Sequence, residues 1–132
     1  MLVDIGICTF RRASLRESLR SVAMQVLPPN TRLRVIVADN DETPSARPQV
    51  LRSAAEFGLE CRYLHAPARN ISVARNACLD AAEAPLIAFL DDDEEAEPDW
   101  LAQLLASLQR EDADVVFGPV CARYGADAPA WA

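Results

Sequence analysis

Three consecutive carboxylates, Asp91-Asp92-Asp93, stand directly after the apolar run Leu86-Ile87-Ala88-Phe89-Leu90. A run of that length and type predicts a strand, whose end delivers all three acids to one small region. Like charges held so close cost stability unless solvent or a cation relieves them. A divalent ion bound through oxygen does so: Mg²⁺ or Mn²⁺ takes one or two carboxylates and completes its shell with the phosphates of a ligand. The competing explanation is a solvated loop whose acids favour the start of the next helix. It suffices for Glu95, Glu97 and Asp99, whereas for Asp91, Asp92 and Asp93 metal or nucleotide contact is the stronger expectation.

Other polar groups follow predicted strands in the same way. Thr9 and Arg11 come after a β-rich run, Asp39 ends another, and Arg69 and Asn70 follow a third. In open α/β sheets ligands bind beyond the carboxyl ends of the strands, so these positions converge with the acidic run on one sheet edge. Asp39 has two possible roles, capping the turn before Pro44 or accepting a hydrogen bond from a base or ribose. Arg11 and Arg12 read alone as a solvated pair, and their place on the carboxylate edge favours ligand contact. Arg75 lies inside a helical pattern, where a salt bridge to Glu83 or to an acid of the Asp91–Asp93 loop competes with anion binding. His65, the only histidine, reads as a satisfied strand-end residue, and Cys8, Cys61, Cys78 and Cys121 as core fillers.

The elements that must position these groups alternate along the chain. Strands are expected at Leu2–Thr9, Leu33–Asp39, Cys61–His65, Pro85–Leu90 and Val115–Phe117. Ser14 with Glu17 has the spacing of a capping box, and Leu15, Leu19, Val22, Ala23 and Val26 follow at helical intervals until Pro28-Pro29. A short helix is predicted over Gln49–Phe57, closed by Gly58. Another runs from an Asn70 or Ser72 cap to about Ala82, with Val73, Ala77, Cys78 and Ala81 inward. A last one follows Pro98, with Trp100, Leu101, Leu104, Leu105 and Leu108 as its apolar stripe. Strands separated by helices argue for an α/β fold, a mostly parallel open sheet with helices on both faces.

The 132 residues fit one domain. All 13 basic residues are arginine and the net charge is −7, which makes nucleic acid a poor partner but leaves room for a small phosphorylated ligand. The cysteines show no C-x-x-C spacing, and no signal peptide or membrane-spanning run is evident, so a cytoplasmic setting is expected, including the cytoplasmic face of a membrane.

Four stretches, in order, resemble family 2 glycosyltransferases of the GT-A fold. Ile5-Gly6-Ile7-Cys8-Thr9-Phe10-Arg11-Arg12 is similar to the family's opening strand, and Val35-Ile36-Val37-Ala38-Asp39-Asn40 to its second. Asn70-Ile71-Ser72-Val73-Ala74-Arg75-Asn76-Ala77 resembles the G-x-x-x-A-R-N-x-G stretch, with Asn70 and Ala77 in place of glycine. Phe89-Leu90-Asp91-Asp92-Asp93, then Pro98-Asp99-Trp100-Leu101, resembles the D-x-D segment and its following helix. The resemblance implies an inverting transferase whose residues 1–120 bind a UDP-type nucleotide sugar. It places Thr9, Arg11, Asp39, Asn70 and Arg75 near the nucleotide and Asp91 or Asp92 at the ribose, with Asp93 on the metal. The family's general base lies in an acceptor-binding half. Glu111, Asp112, Asp114 and Asp127 match no such motif, so residues 121–132 read as a tail or the start of a missing half, with the acceptor unknown. Alternatives are a non-catalytic domain, either donor-binding or self-associating into a homo-oligomer through a surface exposed by truncation, and a GT-A-like nucleotidyltransferase. The last is disfavoured because Thr9–Leu15 contains no glycine and the chain no lysine. A phospho-acceptor receiver module needs a lysine and is excluded on that ground.

Overall fold

The computed structural model describes residues 1–131. Four strands and four helices alternate: β1 (Leu2–Thr9), α1 (Leu15–Ala23), β2 (Arg32–Asp39), α2 (Arg47–Phe57), β3 (Cys61–His65), α3 (Ile71–Ala81), β4 (Leu86–Phe89) and α4 (Trp100–Arg110). The strands form one sheet in the order β3-β2-β1-β4, and every pairing is parallel. The fold is therefore α/β, with the sheet wholly rather than mostly parallel. The chain winds outward from β1 through β2 to β3, then returns through α3 to place β4 on the other side of β1. That reversal opens a crevice at the strand tips beside β1.

Residues alternate across the central strands, as the two-residue repeat requires. Val3, Ile5 and Ile7 of β1 and Val35 and Val37 of β2 face Leu15, Leu19 and Val22 of α1, Val50 of α2 and Leu101 of α4. On the other face Cys8, Ile36 and Ala38 meet Ala74, Cys78 and Ala81 of α3. A side chain at Gly6 would place its Cβ 2.7 Å from the Phe89 ring and 3.4 Å from Cys78 Cβ, which explains a glycine inside a strand. Gly58 closes α2 in the left-handed region at φ 67°, as expected.

Several local expectations are corrected. Ser14 precedes α1 but makes no side-chain cap, because its hydroxyl is committed elsewhere, and Glu17 pairs with Arg16 and Arg20. α1 stops at Ala23 and leaves Val26 exposed, since the Val26 amide turns to the Pro98 carbonyl. Ala74, not Val73, faces the sheet from α3. Val115–Phe117 is not a strand. A strand needs its backbone groups paired, and among the described residues no ladder reaches this exposed tripeptide, with β4 ending the sheet. Residues 121–131 contain no helix or strand, and Ala132 lies outside the described residues. Cys8 and Cys78 are buried, Cys61 is half-buried with its thiol pushed up to about 11 by burial, and Cys121 is exposed rather than a core filler. Among the described residues no helix is long and apolar enough to cross a membrane.

Candidate functional site

Register builds the site. Thr9 pairs with Asp39 and Asp39 with His65, so three strand tips end level. On the other flank β4 pairs Phe89 with Gly6, three residues short of the β1 tip, and the Leu90 amide donates to the Gly6 carbonyl at 3.1 Å. The next residues therefore run alongside the end of β1. Thr9 Oγ1 donates to Asp92 Oδ2 at 2.8 Å, joining two predicted site residues 83 positions apart. Arg75 Nη2 lies 3.3 Å from Asp91 Oδ1, so of the two expected salt bridges the acidic-loop one forms, while Glu83 pairs with Arg34 and Arg62. Arg12 Nε stands 4.0 Å from Asp92 Oδ1. Asp93 is exposed, and among the described residues its carboxylate has no hydrogen-bond partner.

The remaining predicted residues take less direct places. Asp39 is fully buried and accepts from the Asp41 amide (3.1 Å), the Ala46 amide (2.9 Å) and the Tyr63 hydroxyl (2.7 Å), which is the turn-holding role. Asn70 caps α3 by accepting from the Ser72 amide at 2.9 Å. His65 Nε2 sits 2.9 Å from the Asp41 carbonyl, a satisfied strand-end histidine. Arg11 makes a forked pair with Asp41, Nε to Oδ2 at 2.8 Å and Nη2 to Oδ1 at 2.9 Å, and Ser45 also donates to Asp41. Arg69 pairs with Glu42 at 3.2 Å. Both arginines sit at positive φ, 52° and 44°, uncommon for a side chain of that size and concentrated at the crevice rim.

Asp41 was legible only as part of its loop. It is the anchor of the rim, and the bonds from Arg11 and Ser45 hold its carboxyl well below the usual carboxylate range. Asp92 is shifted the other way: burial raises its carboxyl despite the Thr9 hydroxyl and the Phe10 amide. A carboxyl whose folded pKa lies above its unfolded value favours the fold at acid pH, and that contribution is lost as pH rises through the folded pKa. Asp92→Asn keeps an acceptor for Thr9 and removes the charge. It is expected to raise the melting temperature of the ligand-free domain at pH 7, with the gain shrinking as the pH falls, as read by thermal melts.

Among the described residues no group of three or more His, Cys, Asp or Glu side chains is placed to hold a metal ion. The exposed carboxylate of Asp93, with that of Asp91 beside Arg75, offers oxygen ligands only. Such a partial set fits Mg²⁺ or Mn²⁺, which complete their shells with water and ligand phosphates, and not Zn²⁺, which prefers nitrogen and sulfur.

Known proteins give the same picture. The family profile described as Glycosyl transferase family 2 matches residues 4–132. The succinoglycan biosynthesis protein ExoM of Rhizobium meliloti (strain 1021) is 50% identical over 129 residues, covering 98% of this chain and 42% of ExoM. A glucosyl-dolichyl phosphate glucuronosyltransferase of Haloferax volcanii is 32% identical over 91% of this chain and 38% of its own length. The chain thus spans less than half of these relatives. Among solved structures, the mannosyltransferase PcManGT of Pyrobaculum calidifontis, in complex with GDP-Man and Mn²⁺, superposes with a TM-score of 0.71 at 25% identity over 80% of this chain and 32% of that one. S. aureus TarS in complex with UDP-GlcNAc shares the fold at a TM-score of 0.67 and 21% identity, over 86% of this chain and 33% of that one. Profile, relatives and fold agree, and the chain belongs to glycosyl transferase family 2.

Proposed function

We propose that this chain binds a UDP-type nucleotide sugar together with Mg²⁺ or Mn²⁺, as the donor-holding part, residues 1–120, of a polysaccharide-building glycosyltransferase on the cytoplasmic side. The contact between Thr9 and Asp92 carries the proposal. It closes the β1–β4 crevice into one site and leaves Asp91 and Asp93 open above it. In this site Asp91 or Asp92 holds the ribose, Asp93 takes the metal, and Arg75 stands ready for the diphosphate. Thr9, Arg11 and Asn70 border the nucleotide, and Asp39 shapes the base pocket through its loop. When bound, the cation would neutralise charge on the departing diphosphate. We assign the acceptor-side proton abstraction to none of the described residues. Glu111, Asp112 and Asp114 follow α4, about 16 Å of helix beyond its start.

Calorimetry with UDP tests the assignment. Saturable binding is expected with Mn²⁺ and at least about tenfold weaker binding after chelation. A folded sample that takes up no UDP in the presence of Mn²⁺ overturns the assignment. GDP run in parallel decides the base, since PcManGT is similar in fold and holds GDP-Man.

A further inference from the structure

The acidic segment between β4 and α4 has little structure of its own. Its internal bonds are few: the Glu94 amide to the Asp91 carbonyl at 3.1 Å, and the Asp91 amide to Glu94 Oε2 at 3.2 Å. Three adjacent carboxylates ought to drive such a segment apart. Thr9, Arg12 and Arg75 hold two of the carboxylates, and the backbone between them is held from α1 and the residues at its ends. Ser14 Oγ donates to the Asp92 carbonyl at 2.8 Å. Ser18, 1% exposed, places its Oγ 2.6 Å from the Glu94 carbonyl and 3.4 Å from that of Asp91. Ser21 Oγ accepts from the Ala96 amide at 3.0 Å. Gln25 uses both ends, Nε2 to the Glu97 carbonyl at 2.7 Å and Oε1 from the Leu101 amide at 3.0 Å, and the Val26 amide reaches the Pro98 carbonyl at 2.7 Å.

Residues 14, 18, 21 and 25 fall at helical intervals, so one polar stripe of α1 and its ends meets the acidic segment rung by rung. We propose that this stripe is a positioning device for the donor site: Ser14, Ser18, Ser21 and Gln25 fix the spacing of Asp91, Asp92 and Asp93 before any ligand arrives. None of them need touch the ligand. Ser14 and Ser18 hold the backbone of Asp91 and Asp92 directly, Ser21 and Gln25 hold the residues that follow up to Leu101, and preset geometry spares the site the cost of ordering that segment on binding. The inference rests on the donor-site proposal above.

The test uses Ser18→Ala and Gln25→Ala in the full chain, with Arg20→Gln on the outer face of α1 as a control. UDP affinity in the presence of Mn²⁺ is expected to fall about tenfold in each stripe variant, within the range that outer-shell partners command, and to stay unchanged in the control. UDP binding without metal is expected to fall by less, because only the ribose contact given to Asp91 or Asp92 then depends on the stripe. Amide exchange over residues 91–98 is read in the same samples without ligand and is expected to quicken in the stripe variants alone. Unchanged exchange in both stripe variants overturns the inference. Quicker exchange with unchanged Mn²⁺-dependent affinity overturns it as well, by reducing the stripe to a structural role. If the unaltered chain fails to bind UDP with Mn²⁺, the donor-site proposal falls, and the exchange experiment still decides whether the stripe orders the loop.

Discussion

Asp4→Ala is expected to destabilise the domain by about 3–5 kcal/mol, enough to unfold many domains of this size. Asp4 is fully buried at the end of the sheet opposite the crevice. It receives a forked pair from Arg34, Nε to Oδ1 at 2.9 Å and Nη2 to Oδ2 at 3.0 Å, and both the Glu83 and Ala84 amides at 2.9 Å. Truncation strips a largely buried guanidinium of two acceptors, leaving it only Glu83, and leaves two amides without theirs, together with a small cavity. Burial alone would raise the Asp4 carboxyl, but the Arg34 pair and the two amides outweigh it and hold it below its ordinary value. A depressed carboxyl contributes stability above its unfolded pKa and loses it as pH falls through the folded one, so the contribution drains away below about pH 4. Urea unfolding at pH 7 and pH 3 checks both parts: the gap between the unaltered chain and Asp4→Ala should narrow at the lower pH. Asp4→Leu combined with Arg34→Met removes both charges and is expected to cost far less than Asp4→Ala alone.

The largest functional effect is expected at Asp93. If its exposed carboxylate is the metal ligand, Asp93→Ala should lower UDP affinity in Mn²⁺ on the order of 100-fold, at or above what losing an outer-shell partner does. Affinity without metal should hardly move, and neither should the melting temperature, because among the described residues that carboxylate makes no hydrogen bond. Asp92→Asn should behave differently, weakening donor binding while raising stability. Calorimetry and melts on the two variants separate the roles. An Asp93→Ala protein that keeps full Mn²⁺ dependence would move the metal to Asp91 or Asp92.

Strand tips were legible because an apolar run that stops abruptly at a polar residue marks both the strand and its end. Leu90 to Asp91 and Ala38 to Asp39 show this clearly, and the parallel order follows from the helices between them. The contact of Thr9 with Asp92 follows from that geometry. The α1 stripe was hidden, since serines beside an apolar helical face look like solvated surface until a segment some 75 positions away is laid against them. Ser14 shows the cost of local reasoning: its spacing to Glu17 suits a cap, but its hydroxyl serves the Asp92 carbonyl. Asp41 was legible as part of its strand tip, but its pairing with Arg11 was not, because that pair joins two loops and periodicity says nothing about loops. Val115–Phe117 misled because apolar, β-branched composition makes a strand only beside a partner.

In the layer between α3 and the sheet the small side chains Cys8, Ala38, Ala74, Cys78 and Ala81 pack around Ile36, with Gly6 against Cys78. Helix α3 packs on β1 and β2, and from its second turn Arg75 reaches Asp91 Oδ1 at 3.3 Å. Bulkier residues in this layer would lift α3 as a rigid rod and carry Arg75 out of reach. The mouth of the crevice is thus gauged by residues buried beneath it.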